Sequence, residues 1–168
     1  MTTIESVPAG TVSNGQALIL FVPAIANIFA PTVAELTAVG VKRLTYGLTG
    51  DGYKHSVTIG KIRINRFTLP QEIQSMGTIV DDLTLTAPYT NTPSDTVRLA
   101  LPKDQTGFIV ERFAVANSVD IAAAQLVDVI PIKAGLATKD QPVKDQELTR
   151  TQDLYVTSSV ARDVTVAA

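Results

Sequence analysis

The 168-residue chain has no cysteine and no tryptophan, and its only histidine is His55. Without cysteine there are no disulfides, no thiolate metal ligands and no thiol nucleophile. A single histidine leaves room for one imidazole-based relay at most. Charge is scarce as well. Asp, Glu, Lys and Arg make up 18% of the residues, against roughly 25% in an average domain. The 14 basic and 16 acidic side chains leave a net charge of −2, which gives no electrostatic footprint for tight binding to DNA or to an anionic membrane.

Long apolar runs are also missing. The most apolar stretch, residues 17–30, has 14 residues and is interrupted by Pro23 and Asn27. A membrane span needs about 20. A secretory signal would place a basic residue ahead of such a stretch, yet the first one is Lys42, so synthesis in the cytoplasm is the expectation. What covers the molecule instead of charge is Thr, Ser, Asn and Gln, together with Ala and Val. Two explanations stand open. The surface is buried against other copies, since interface cores are depleted of charge, or the chain is a β protein with threonine on its outer faces.

Periodicity favours β structure. Residues 1–16 are rich in Thr, Ser, Gly and Asn and read as a polar N-terminal arm. A strand is expected over 17–22, stopped by Pro23. A short helix is expected over 30–38, with Pro31 in its first turn and Gly40 closing it. Strands follow over 41–46 and 56–67. In the second of these Val57 and Ile59 lie on one phase and Ile62 and Ile64 on the other, so a β-bulge or sharp bend is expected at Gly60. Further strands are expected over 78–87, 106–115 and 126–134, with Pro131 marking the last as an edge strand or a bulge. A second short helix over 94–101 would be capped by Ser94 or Asp95. Residues 147–157 alternate, with Leu148, Leu154 and Val156 on the side shared by Arg150 and Gln152, which suggests that one end of that face lies outside the core. Strand propensity continues over 160–168. The sum is a mainly β fold, a sandwich or barrel with one or two short flanking helices. Its expected organisation is an arm (1–16), a β domain (17–157) and a C-terminal arm or strand (158–168).

Chemistry-bearing residues do not converge. Asp81 and Asp82 are adjacent, so a strand points them to opposite faces. Asp140, Asp145 and Glu147 match no calcium loop. Gly47, Gly50 and Gly52 lack the helix start and the Lys-Ser/Thr ending of a phosphate loop and read as a turn. His55 beside Lys54 reads as an exposed turn residue. Lys61, Arg63 and Arg66, with Phe67 beside them, form a patch too small for a nucleic-acid platform. We therefore expect no catalytic residues, no cofactor and no metal ligand.

Some segments resemble a known family. Residues 30–38 (APTVAELTA), then Leu48-Thr49-Gly50-Asp51-Gly52-Tyr53, then 106–112 (TGFIVER) and 127–132 (VDVIPI), and finally Leu154-Tyr155-Val156-Thr157 and 160–164 (VARDV), are similar in order and spacing to major tail (tail tube) proteins of long-tailed phages that infect actinobacteria. Residues 17–30 and 60–76 do not match. The resemblance implies a structural virion protein of tail-tube β-sandwich or barrel fold that assembles into hexameric rings stacked as a tube. It further implies a tape-measure protein in the lumen, terminator and distal tail proteins at the ends, and passage of double-stranded DNA, with no membrane involved. Two rival expectations are another ring-forming virion or secretion-tube protein of the tail-terminator type and a β-sandwich binding module, for example for carbohydrate. The second is weakened by the absence of tryptophan and by only four scattered tyrosines.

Overall fold

The computed structural model describes residues 9–68 and 70–168. In chain order the elements are β1 (Ala17–Val22), α1 (Val33–Leu36), β2 (Lys42–Arg43), β3 (Tyr53–Ile64), β4 (Ile73–Pro88), α2 (Thr96–Ala100), β5 (Thr106–Phe113), β6 (Leu126–Ala134), β7 (Thr138–Lys139), β8 (Thr149–Val156) and β9 (Ala161–Thr165). The fold is mainly β with two short helices. Its hydrogen-bonded strand order is β2-β1-β5-β6-β8-β4-β3, with β7 added to β8 and β9 to β6. The path is open, ending at β2 and β3. Its contacts divide the chain into two compact units, one built from residues 1–45, 107–130 and 160–168, the other from 46–106 and 131–159. Among the described residues no helix is long and apolar enough to cross a membrane.

In the first unit β1 pairs antiparallel with β5, from Ala17 opposite Phe113 to Val22 opposite Phe108. Leu18, Leu20 and Val22 from β1 pack with Val110, Val127, Val129, Ala161 and Val166, and Leu36 of α1 joins them. The helix is shorter than its sequence suggests. Thr32, not Pro31, sets its start: the Thr32 hydroxyl accepts from Glu35 N while the Glu35 carboxylate accepts from Thr32 N, a complete capping box. Its end is Thr37 rather than Gly40, with the Thr37 hydroxyl donating to Val33 O. The expected strand over 41–46 shrinks to Lys42 and Arg43, because the Thr45 hydroxyl accepts the Ile19 N–H in place of a ladder carbonyl and residues 45–47 turn. At the chain's end β9 pairs β6, Val166 is buried, and Ala167 exchanges backbone hydrogen bonds with Pro31 and Val33. Of the expected N-terminal arm, residues 1–8 lie outside the described residues; 9–15 are exposed.

The second unit is a hairpin of β3 and β4 extended by β8. The β8 strand runs antiparallel to β4 from Asp82 opposite Tyr155 to Pro88 opposite Thr149. One face carries Leu83, Leu85, Ala87 and Leu154, all buried, and α2 buries Val97 and Ala100. Asp95 caps α2 by accepting from Val97 N and Arg98 N. Arg150 and Gln152 correct the expectation for their face, since both are buried. They are tolerated because Gln152 Nε2 donates to Leu101 O and Gly135 O and Arg150 pairs with Asp95 at 3.6 Å. Leu148, outside the strand, is the half-exposed one. Pro131 marks neither an edge strand nor a bulge. It sits where β6 changes partner, from β9 (ending at Val129 opposite Ala161) to β8 (starting at Ile132 opposite Val156), a point that needs no ladder donor.

Candidate assembly surface

The β3–β4 hairpin is the longest element of the chain. Its first half forms because Tyr53, His55, Val57 and Ile59 alternate with the polar Lys54, Ser56 and Thr58. The turn that feeds it is tied to β4: Thr49 N donates to Thr86 O, Thr86 N to Gly52 O, and Gly52 N to Thr49 O. Gly52 has no alternative there, since a Cβ would lie 2.1 Å from Thr86 O. These bonds engage the Thr49 and Gly52 N–H groups of the glycine cluster at 47–52 in a turn.

Beyond Ile59 the register shifts. Ile59 opposes Ile79, but Lys61 opposes Met76, so Gly60 faces two residues, Gly77 and Thr78. The irregularity falls where the phase change placed it, with the extra residue carried by β4. Because β3 keeps its alternation, its apolar side chains change face. Val57 and Ile59, with Ile79 opposite Ile59, share the side of Leu83 and Leu85; Ile62 and Ile64, with Ile73 opposite Ile64, take the other side. Val57, Ile59, Ile62, Ile73 and Ile79 are 43–53% exposed, Met76 is 65% exposed, and Phe67 beyond the end of β3 is fully exposed. Two apolar patches on opposite faces of one hairpin are unusual for a protein that works alone. Among the described residues no further strand pairs with the outer side of β3, which ends the sheet.

The other candidate residues fall apart as chemistry. Asp81 and Asp82 do point to opposite faces, Asp82 opposing Ser56 and Tyr155. His55 departs from the expected exposed turn. It lies in β3, and its Nε2 is 3.0 Å from Asp81 Oδ1, with both side chains nearly covered. The two sit diagonally across the ladder, a spacing within reach of long side chains. Arg63 pairs with Glu72 at 3.5 Å, so part of the basic patch is neutralised. Asp140 is occupied by the hydroxyls of Thr149 and Thr151, and no group of acidic or histidine side chains among the described residues could hold a metal ion.

The comparisons with known proteins give this surface its context. A family model described as "Phage tail tube protein" matches residues 5–168. The chain belongs to the phage tail tube protein family. No curated protein matches. Among solved structures, a chain from the six-fold symmetrised cryo-EM structure of the anti-feeding prophage baseplate is 14% identical, with a TM-score of 0.50 over 92% of this chain and 95% of that one. At that identity the likeness is one of fold.

A tail tube protein is a structural component of the virion tail, and self-assembly is what its family membership implies. The sequence resemblance left residues 60–76 unassigned; of these, 60–64 and 73–76 are the distal strand segments of the hairpin. No period-two signal marked the second segment: between Ile73 and Ile79 only Met76 is apolar, and the polar and glycine positions around it concealed a 16-residue strand. The capping box at Thr32 and Glu35, by contrast, was readable, as Thr-x-x-Glu just after a proline.

Proposed function

We propose that this chain is the major tail protein of a long-tailed phage of actinobacteria, assembling into hexameric rings that stack into the tube conducting viral DNA. In this reading the chain is made in the host cytoplasm, and rings build up around a tape-measure protein. Terminator and distal tail proteins close the two ends. The observation that carries the reading is the hairpin: β3 is the last strand of the sheet among the described residues, and it exposes apolar side chains on both faces. An edge of this kind is covered in an assembly by the sheet of a neighbour. If each of six subunits gave four strands, a closed barrel of 24 strands about 4.8 Å apart and tilted about 40° would have a radius of roughly 25 Å, wide enough for a duplex. The six-fold symmetry of the baseplate in the solved neighbour's description is in keeping with that number of subunits. A net charge of −2 suits a conduit that must release the DNA it carries.

Electron microscopy of the purified protein over a range of concentrations tests this. Rings about one hexamer in mass that stack into tubes are expected. Single rings that never stack would move the reading to a terminator-type ring, and a strict monomer at high concentration would end it.

A further inference from the structure

We infer that the threonine-rich face of β8, β4 and the base of β3 lines the bore of the tube. The inference rests on the tube reading above and assigns the face that reading leaves open. The sheet of the second unit has two faces, and one is already spent: Leu83, Leu85, Ala87, Gln152 and Leu154 are buried within the chain itself. The register fixes what the other face carries. Thr84 opposes Asp153, Thr86 opposes Thr151 and Asp82 opposes Tyr155. On the outer side Lys54 opposes Thr84 and Ser56 opposes Asp82, and Lys133 of β6 opposes Tyr155.

The hydrogen bonds of this face suit a surface that a polyanion slides past. Phosphate oxygens are acceptors and bind where donors or cations are free. Here the protons of four threonine hydroxyls are already committed. Thr84 donates to Asp153 Oδ1 at 3.0 Å, and Thr149 and Thr151 both donate to Asp140 Oδ2, at 2.6 and 3.0 Å. With the Thr151 proton engaged, the 3.2 Å contact between the Thr86 and Thr151 hydroxyls has Thr86 as donor. The threonine hydroxyls of this face thus end on the carboxylates of Asp140 and Asp153. Lys133 is neutralised by Asp104 at 2.9 Å. Lys54 is the cation of this face without an acidic partner among the described residues.

The chain's lack of cysteine makes the test direct. Ser56→Cys and Thr84→Cys are prepared singly, assembled, and exposed to a small maleimide and to a polymer-linked maleimide too wide to enter the bore. Both reagents are expected to label the unassembled protein at either position. In tubes the small reagent is expected to label nearly every subunit, and the wide one only the few at the tube ends. Full labelling by the wide reagent would put this face on the outer wall, and protection from both would bury it between subunits; either result overturns the assignment while the tube reading stands. Failure of the unmodified chain to form tubes at all would overturn both together.

Discussion

Arg112 is fully buried in β5 (1% exposed) in a chain with few charges to spare. Its guanidinium takes the place of secondary structure for the segment that follows β5. Nη1 donates to Asp120 O and Gln125 Oε1, and Nη2 to Ala116 O and Val119 O. Burial, and after it the nearby Arg43 charge, pushes its pKa down, with Asp120 opposing; an arginine so placed still keeps its proton at neutral pH. Replacing it removes the donor that ties those carbonyls to β5 and leaves a cavity at a fully buried position. Arg112→Met is expected to cost about 3 kcal/mol or more, seen as a melting temperature lower by roughly 6–12 °C. Arg112→Lys should recover only part of this, because an ammonium lacks the planar fork that reaches four acceptors at once. A second residue-scale prediction concerns Glu35. The backbone N–H of Ala26 is the main cause holding its carboxyl below the ordinary value of 4.5, followed by the backbone and hydroxyl of Thr32. A folded-state pKa that is depressed contributes stability above the unfolded value and loses it as pH falls through the folded one. The stability gap between the natural chain and Glu35→Gln should therefore be constant from neutral pH down to the carboxylate range and close below it. Denaturant titrations at a series of pH values measure that gap. Thr32→Ala, which removes the other half of the box, should cost about 1 kcal/mol at neutral pH.

At the scale of elements, the hairpin separates what a monomer needs from what an assembly needs. Its base is tied to β8 and to the buried Leu83 and Leu85, whereas Ile62 and Ile73 near its far end are about half exposed. Ile62→Ser with Ile73→Ser is thus expected to leave the unfolding free energy within about 0.5 kcal/mol of the natural chain. If the distal patch is covered on assembly, losing two half-buried isoleucines removes about 2 kcal/mol of contact per copy, and the concentration needed for assembly should rise roughly 30-fold. Unchanged assembly would mean that the distal patch touches no neighbour. Much of this element could be read from sequence and much could not. The phase change at Gly60 was legible because a pleat allows only period two, and it located the register shift. The strand that carries the extra residue was not legible, because bulge placement depends on the pairing of two strands and only one showed a clear pattern. β1, β6 and the Asp95-capped helix were legible from apolar runs and caps. The buried Arg150 and Gln152 were not, because their partners are Asp95, Leu101 and Gly135, distant in sequence. His55 misled for the same reason: its neighbour Lys54 suggested a turn, and the partner that defines it, Asp81, lies across the ladder.

For the whole molecule, scarce charge and exposed isoleucine make a claim about what force holds an assembly together. Interfaces built on ion pairs loosen as salt screens them, over a Debye length of about 8 Å near physiological ionic strength. The surface available here is different. The basic cluster of the hairpin is small and Arg63 is already paired with Glu72, while the exposed large side chains of β3 and β4 are Val, Ile and Met. Burial of such groups weakens on cooling and strengthens with excluded salts such as sulfate. Self-repulsion is a minor opposing term, since each copy carries a net charge of only −2. Assembly followed by light scattering and by sedimentation should accordingly depend little on sodium chloride, begin at lower protein concentration in sulfate, and reverse in part on cooling. Dissolution of the assembled material by sodium chloride alone would show that ion pairs, not the apolar hairpin, carry the contacts. That result would also shift attention to the exposed cations beside α2 and β7, Arg98, Lys103 and Lys139, as the groups to substitute next.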